Sequence, residues 1–552
     1  MDRIAPTSAA RPTRLSFSAK LCFLAGLALF FSVESLLAAP PTVHMNGDRI
    51  TVRARENTLA EVLQELAAQG VRVRIDPAVK ARVHGDLIGQ PINDALKLLL
   101  GSYGYSTRWG SIEGPVGKIS ILQSIDVYRA GNNGAVRTMR VKGRRGFDVV
   151  TDTDGVEYIR DQLLVGVRPG TSKEEFMNMV NNIGGRVVDV VKELGVYKIA
   201  LPPNSDPRKL SAHLNSKFPF AKTEPNYAMR QSEPSPVAGA AGTDVGSADA
   251  TAGGATDAAA GAAGTAGASA TPATPATPAT SATPSAAAFS TPPSSAPPGT
   301  PAVAILDSGL SPEIKLGDLL VGSYDATNPD LAISDTKGHG SQMAEIVSGS
   351  VTADGMQPVG DAGGTPVVAV RAFDDQGTTS NFTIMRAIDY AQDNGASVLS
   401  LSWGSEGRSE FMESSIAQAQ EQGMIVVAAV GNTPNGVPSY PAAYDGVIGV
   451  GALTGNGDVW ENSNYGNFVD VTAPGQANFS IGHDGPPGDY SGTSISTPVV
   501  ASAIAQYLTL NPGATQDAMS KDFYDSLTPA GDAARYGQGK FDEAARQRFL
   551  TP

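Results

Sequence analysis

Ser494 stands in Asp489-Tyr490-Ser491-Gly492-Thr493-Ser494-Ile495-Ser496-Thr497-Pro498, ahead of the largely apolar run Val499–Ala505. A serine framed this way at a helix entrance is a candidate nucleophile. A free hydroxyl attacks poorly at neutral pH, so the chemistry also needs a general base, a group to orient that base, and donors for an oxyanion. Taken alone, the stretch reads more simply as a Gly/Ser/Thr loop capping a helix. Two further stretches reverse that balance. Val303-Ala304-Ile305-Leu306-Asp307-Ser308-Gly309 is a short apolar run ending in an acid, the pattern of a buried parallel strand delivering a carboxylate at its C-terminal edge. Gly338-His339-Gly340-Ser341-Gln342-Met343-Ala344-Glu345-Ile346-Val347 opens an amphipathic helix on a histidine. Of the five histidines, only His339 and His483 lie near the serine in sequence, and His483 falls in a Gly/Asp/Pro-rich loop with no ordered frame. The single cysteine is Cys22 and no His-Glu-x-x-His frame occurs, which sets aside thiol catalysis and gives no metal-ligand cluster.

Asp307, His339 and Ser494, in that chain order and in those three frames, resemble the subtilisin-like serine proteases (subtilases). The resemblance covers about residues 300–545. It continues through Val370-Arg371-Ala372-Phe373, Ala387-Ile388-Asp389-Tyr390-Ala391, Ser400-Leu401-Ser402-Trp403-Gly404, Ala428-Ala429-Val430-Gly431-Asn432 and Gly537-Gln538-Gly539-Lys540-Phe541-Asp542. It implies that Ser494 attacks a peptide carbonyl, that His339 shuttles the proton, and that Asp307 orients the imidazole. It further implies that the Asn432 amide and the Ser494 N–H hold the oxyanion, and that an extended polypeptide substrate pairs along Ser400, Leu401, Ser402 and Gly404. Trp403 either shapes a subsite there or packs in the core. Two positions depart from the family: Ile495-Ser496 stands where Met-Ala is usual, and Gln342 where a second histidine is common. Neither removes a catalytic group, so activity is expected.

Strands Ala302–Leu306, Pro366–Val370, Ser397–Ser402 and Met424–Val430 alternate with helices from His339, over Phe382–Asn394 and near Glu410–Gln422. This argues an α/β domain with a parallel sheet and helices on both faces, residues 302–545, with the three groups at strand ends and helix starts. The expected fold is multidomain, because two small α+β units precede it. In 42–128, Thr58-Leu59-Ala60-Glu61 is a capping box whose helix turns Leu59, Val62, Leu63 and Leu66 to one face. Strand Val71–Ile75, helix Pro91–Leu100 burying Ile92, Ala95, Leu96 and Leu99, and strands near Tyr105–Trp109 and Ile119–Leu122 follow. This unit resembles the short N-terminal domain of secretins and TonB-dependent receptors, which implies a docking module for a cell-envelope assembly. In 155–231, strands Leu163–Val167, Arg186–Val191 and Tyr197–Leu201 alternate with helices Ser172–Ile183 and Asp206–Lys217, closing on Glu224-Pro225-Asn226-Tyr227. That unit resembles the ferredoxin-like subtilase propeptide, an intramolecular chaperone and inhibitor.

Residues 1–39 carry Arg3, Arg11, Arg14 and Lys20, then the apolar run Leu21–Leu37, the layout of an export signal. An uncleaved anchor is the alternative, marginal because the run is short and holds Glu34. Cleavage would remove Cys22, leaving a mature protein without disulfides. Residues 234–301 are rich in Ala, Gly, Thr and Pro and cannot build a core; they are expected to form a disordered linker and the place of proteolytic nicking. Residues 40–235 carry 27 Lys/Arg and 21 Asp/Glu, net +6, whereas 301–552 carry 10 and 29, net −19. Opposite fields favour docking of the two parts. The acidic total, −14, argues against a nucleic-acid partner. The strand at Ala302 follows the linker at once, without the N-terminal arm that in the family often contributes to a calcium site, so calcium remains open but no site is identifiable, and no other cofactor is expected. The sequence thus predicts an exported zymogen, periplasmic or secreted in a Gram-negative bacterium. A catalytically silent pseudoprotease and an envelope docking component are the alternatives.

Overall fold

The computed structural model describes residues 40–46, 49–101, 103–129, 131, 136–139, 147–153, 155–231, 235–236, 301–358 and 364–551. The expected signal segment with Cys22, and nearly all of the expected linker, lie outside the described residues.

The first unit holds strands β1 (Thr42–Asn46), β2 (Arg49–Thr58), β3 (Arg72–Ile75), β4 (Arg82–Pro91), β5 (Gly104–Gly114), β6 (Gly117–Tyr128) and β7 (Arg137–Thr138). Helices α1 (Leu59–Ala68) and α2 (Ile92–Leu100) pack on them. The Thr58–Glu61 capping box forms, and Leu59, Val62, Leu63 and Leu66 are all buried. On α2, however, Leu100 takes the core position expected of Leu99. The three-stranded sheet β1-β2-β4 has no counterpart in the sequence reading. Its strand β4 alternates only between exposed and half-buried positions, so pairing with β2 holds it more than core burial does.

The second unit runs β8 (Val149–Thr151), β9 (Glu157–Val167), α3 (Lys173–Asn182), β10 (Arg186–Val191), β11 (Val196–Ala200), α4 (Pro207–Lys217), β12 (Ala221–Arg230) and β13 (Ser235–Pro236). Successive side chains of a strand point to opposite faces. Leu163 and Val165 of β9 accordingly join a core with Phe176, Val180 and Leu214 of the helices. Leu164, between them, packs instead with Phe382, Met385 and Phe411 of the third unit. Ile112, Val116 and Ile119 of the first unit enter the same core as Leu163 and Val165, and the Val116 N–H donates to the Tyr197 hydroxyl at 3.2 Å. The first unit is thereby built onto the second.

In the third unit, seven strands lie in one parallel sheet of order β15-β16-β14-β18-β19-β20-β21. They are β14 (Ala302–Asp307), β15 (Leu320–Asp325), β16 (Val367–Arg371), β18 (Ala396–Leu401), β19 (Ile425–Ala429), β20 (Ile448–Leu453) and β21 (Val471–Pro474); β17 (Thr378–Ser380), β22 (Gln476–Phe479) and β23 (Gly488–Ser491) lie outside it. Val303 and Ile305 of β14 face a core containing Met343 and Val347 of α5 (His339–Ser348) and Ile495 and Val500 of α8 (Thr493–Leu510). Ala302, Ala304 and Leu306 face the other core, with Ile384 and Ile388 of α6 (Asn381–Asp393) and Met412 and Ile416 of α7 (Glu410–Glu421). Burial on both faces is why these strands read as continuous apolar runs.

Candidate active site

Asp307 ends β14, and its backbone carbonyl accepts from the Ala372 N–H just past β16 at 2.7 Å, fixing it at the carboxyl edge of the sheet. Its Oδ1 accepts from the Ser308 N–H at 2.6 Å and pairs with His339 Nδ1 at 2.8 Å. His339 is the first residue of α5 and is fully buried. Gly338 before it sits at φ 88°, where a Cβ would fall 2.1 Å from the Gly482 carbonyl oxygen, so only glycine fits. Ser494 occupies the first turn of α8 and is also fully buried. His339 Nε2 and Ser494 Oγ, the two atoms a general-base step must join, are both buried without a hydrogen-bond partner among the described residues.

Asn432 lies after β19, where its Oδ1 accepts from the Thr493 N–H at 3.0 Å and from Thr493 Oγ1 at 2.9 Å. Fixing the carboxamide oxygen orients the whole group beside Ser494. The Ser494 N–H belongs to the first turn of α8, where backbone donors lack intrahelical acceptors and the helix end is electropositive. An anion next to Ser494 Oγ is therefore favoured.

The expected substrate strand needs correction. Ser400 and Leu401 lie inside the sheet: Ser400 pairs with Ile305 on one side and Val427 on the other, and Leu401 with Ala428. Ser400 therefore cannot receive another strand, and Leu401 is already paired on its β19 side. Ser402 and Trp403 follow the strand end and are buried, and the Trp403 indole N–H donates to the Leu306 carbonyl at 2.9 Å, which makes Trp403 a core residue. Gly404 lines a cleft of about 610 Å³ together with Met229, Arg230 and Asn381. The strand that does receive an extended segment is β17, a short polar run that the sequence reading passed over. It pairs antiparallel with the end of β12, Ala228 opposite Ser380, Met229 opposite Thr379 and Arg230 opposite Thr378. The Gln231 N–H continues the ladder to the Gly377 carbonyl at 2.9 Å. On the far side, Ser235 pairs with Ser491 and Pro236 with Tyr490, just before Ser494.

His483 is not in an unordered frame. It is buried against His339, ring centroids 5.1 Å apart in an edge-on arrangement. Burial, reinforced by His339, pushes its pKa down to about 4, so the ring is neutral at pH 7. Gln342 of α5 ties this loop down by donating to the Ile481 carbonyl at 2.9 Å. Nothing in the loop's own composition signals this burial, which depends on its folding over α5. Among the described residues no group of three or more His, Cys, Asp or Glu side chains is placed to hold a metal ion.

Residues 299–539 match the Subtilase family, and residues 147–226 match the Fervidolysin N-terminal prodomain. Thermitase of Thermoactinomyces vulgaris is 35% identical over 200 residues, 36% of this chain and 71% of thermitase. Subtilisin Savinase of Lederbergia lenta is 31% identical over 246 residues, 45% of this chain and 90% of Savinase. In fold, the chain is similar to the crystal structure of fervidolysin from Fervidobacterium pennivorans, with TM-score 0.52 and 19% identity over 74% of this chain and 64% of that one.

Proposed function

The chain belongs to the subtilase family and is a subtilisin-like serine endopeptidase carrying a prodomain, and from that premise we propose that it is an exported zymogen whose Asp307, His339 and Ser494 act as the catalytic triad. His339 Nε2 takes the Ser494 proton as Oγ attacks the scissile carbonyl, and later returns it to the leaving amine. Asp307 holds the Nδ1–H tautomer and stabilises the imidazolium. The Asn432 side-chain amide and the Ser494 N–H receive the oxyanion, and water resolves the acyl-enzyme. Nucleophile, base and orienting acid are all side chains of this chain, so the reading assigns no cofactor to the chemistry and identifies no calcium site.

The observation that carries the zymogen reading is the path of the prodomain's last strand. Strand β12 pairs with β17 as an extended substrate would, by strand addition. It then delivers Gln231 to Asp307 and His339. Opposite net charges on the two parts support the same docking. A fluorophosphonate probe should label Ser494 in the processed enzyme and leave the unprocessed zymogen unlabelled. Equal labelling of both forms would refute inhibition by the prodomain, and labelling of neither would favour a silent pseudoprotease.

The N-terminal run Leu21–Leu37 supports export, and the secretin-like pattern of 42–128 supports a periplasmic setting and docking to an envelope assembly. Co-purification with envelope proteins that disappears on deleting 42–128 tests that part of the reading.

A further inference from the structure

Pro498 lies inside helix α8, four residues after Ser494. In an unbroken helix the N–H at that position would donate to the Ser494 carbonyl, but proline has no N–H and its ring pushes against that carbonyl. A buried carbonyl left without a donor is rare in folded proteins. Here the missing bond is replaced from outside the helix: Ser402 Oγ donates to the Ser494 carbonyl at 3.0 Å, and both residues are buried. Ser402 itself is held between the end of β18 and Trp403, whose indole bonds Leu306, the residue before Asp307.

We propose that Ser402 is a positioning residue for the nucleophile, clamping the Ser494 backbone through the carbonyl that Pro498 leaves free. The Asn432–Thr493 contacts hold the Gly492–Thr493 peptide unit just before the nucleophile, and the clamp holds the Ser494–Ile495 unit just after it. It also connects the two chemical groups mechanically: the segment that bonds Leu306 through Trp403 bonds Ser494 through Ser402. This assignment rests on Ser494 being the nucleophile, and it gives the Ser402 hydroxyl a role in supporting the catalytic backbone beside the substrate contact expected of this segment.

The test is a double-mutant cycle on the full-length protein, read as kcat and KM of the processed enzyme and as the rate of fluorophosphonate labelling. Ser402→Ala should lower kcat and the labelling rate by about tenfold or more with KM little changed, the pattern of a lost transition-state geometry. Pro498→Ala supplies a helical N–H to the Ser494 carbonyl, so in that background Ser402→Ala should cost far less. An additive cycle, or a Ser402→Ala variant as active as wild type, overturns the proposal. Should Ser402→Ala alone fail to fold, the double variant decides: it must yield active enzyme. Wild type serves as the control, since a wild-type protein that does not label refutes the assignment of Ser494 and not the clamp alone.

Discussion

The side-chain amide nitrogen of Gln231 donates to Oδ1 of Asp307 and lies 2.7 Å from Nδ1 of His339. The end of β12 thus brings a side chain onto the Asp–His pair of the proposed triad. On the proposed reading the prodomain would inhibit in two ways, by filling the β17 edge and by gripping the Asp–His pair.

Weakening that grip should free the enzyme sooner. Gln231→Ala removes the contact, and Gln231→Glu sets a second carboxylate against Asp307, where like charges repel. After processing, the lag before peptidase activity appears should shorten in the order wild type, Ala, Glu. Equal lags would show that Gln231 contributes nothing to inhibition.

Glu224 of the prodomain is buried against the protease, bonded by Ser409 and within 3.4 Å of the Asn381 amide. Burial, partly offset by these bonds, raises its pKa to about 7. A raised pKa means that the docked state holds the proton more tightly. Its stabilising contribution is complete below the ordinary value of 4.5 and is lost as pH rises through about 7. Lys198, at the same interface, is lowered to about 8 by burial, so its effect has the opposite sign and acts between about 8 and 10.5. Release of the prodomain from the processed complex, followed by gel filtration, should therefore become easier between about pH 4.5 and 7. Glu224→Gln should flatten that dependence; an unchanged slope would assign it to another group.

Asn432→Ala should lower kcat by about 100- to 1000-fold with KM nearly unchanged, because an oxyanion donor acts in the transition state. Asp307→Asn should cost on the order of 10,000-fold while leaving the fold intact, since it favours the wrong imidazole tautomer. Steady-state kinetics on the processed enzyme decide both.

Ile112 and Val116 sit in the core shared with the prodomain and outside the first unit's own core. Replacing both by Asp should undock that unit without unfolding it, and should lower the prodomain's stability by about a few kcal/mol, because the apolar surface that Ile112 and Val116 cover is returned to water. Thermal unfolding of full-length Ser494→Ala, compared with and without the two changes, measures the shift. An unchanged midpoint would make the first unit an independent appendage.

Much of this was legible in the sequence because each chemical group carries a local frame. Asp307 ends an apolar run, His339 needs glycine before it for a left-handed entry, and Ser494 lies in the first turn of a helix buried almost all round. The substrate edge was not legible. Ser400 and Leu401 look like any apolar strand, and only the full sheet order shows that strands lie on both sides of them. Thr378-Thr379-Ser380 has no hydrophobic alternation and becomes a strand only by pairing with β12. His483 and Gln231 likewise acquire roles through contacts across long sequence separations, which no local pattern encodes.

The central claim is that Ser494 cuts the polypeptide that carries its own inhibitor, and intact masses after expression with export test it most directly. Gln231 lies at Asp307 and His339, and Ser235 pairs beside Ser494, so the new N-terminus of the wild-type enzyme is expected between Gln231 and Ser235. Ser494→Ala should retain that junction and lose only its signal segment. A mutant cut at the same bonds as wild type, or a wild type that stays joined, would contradict the account.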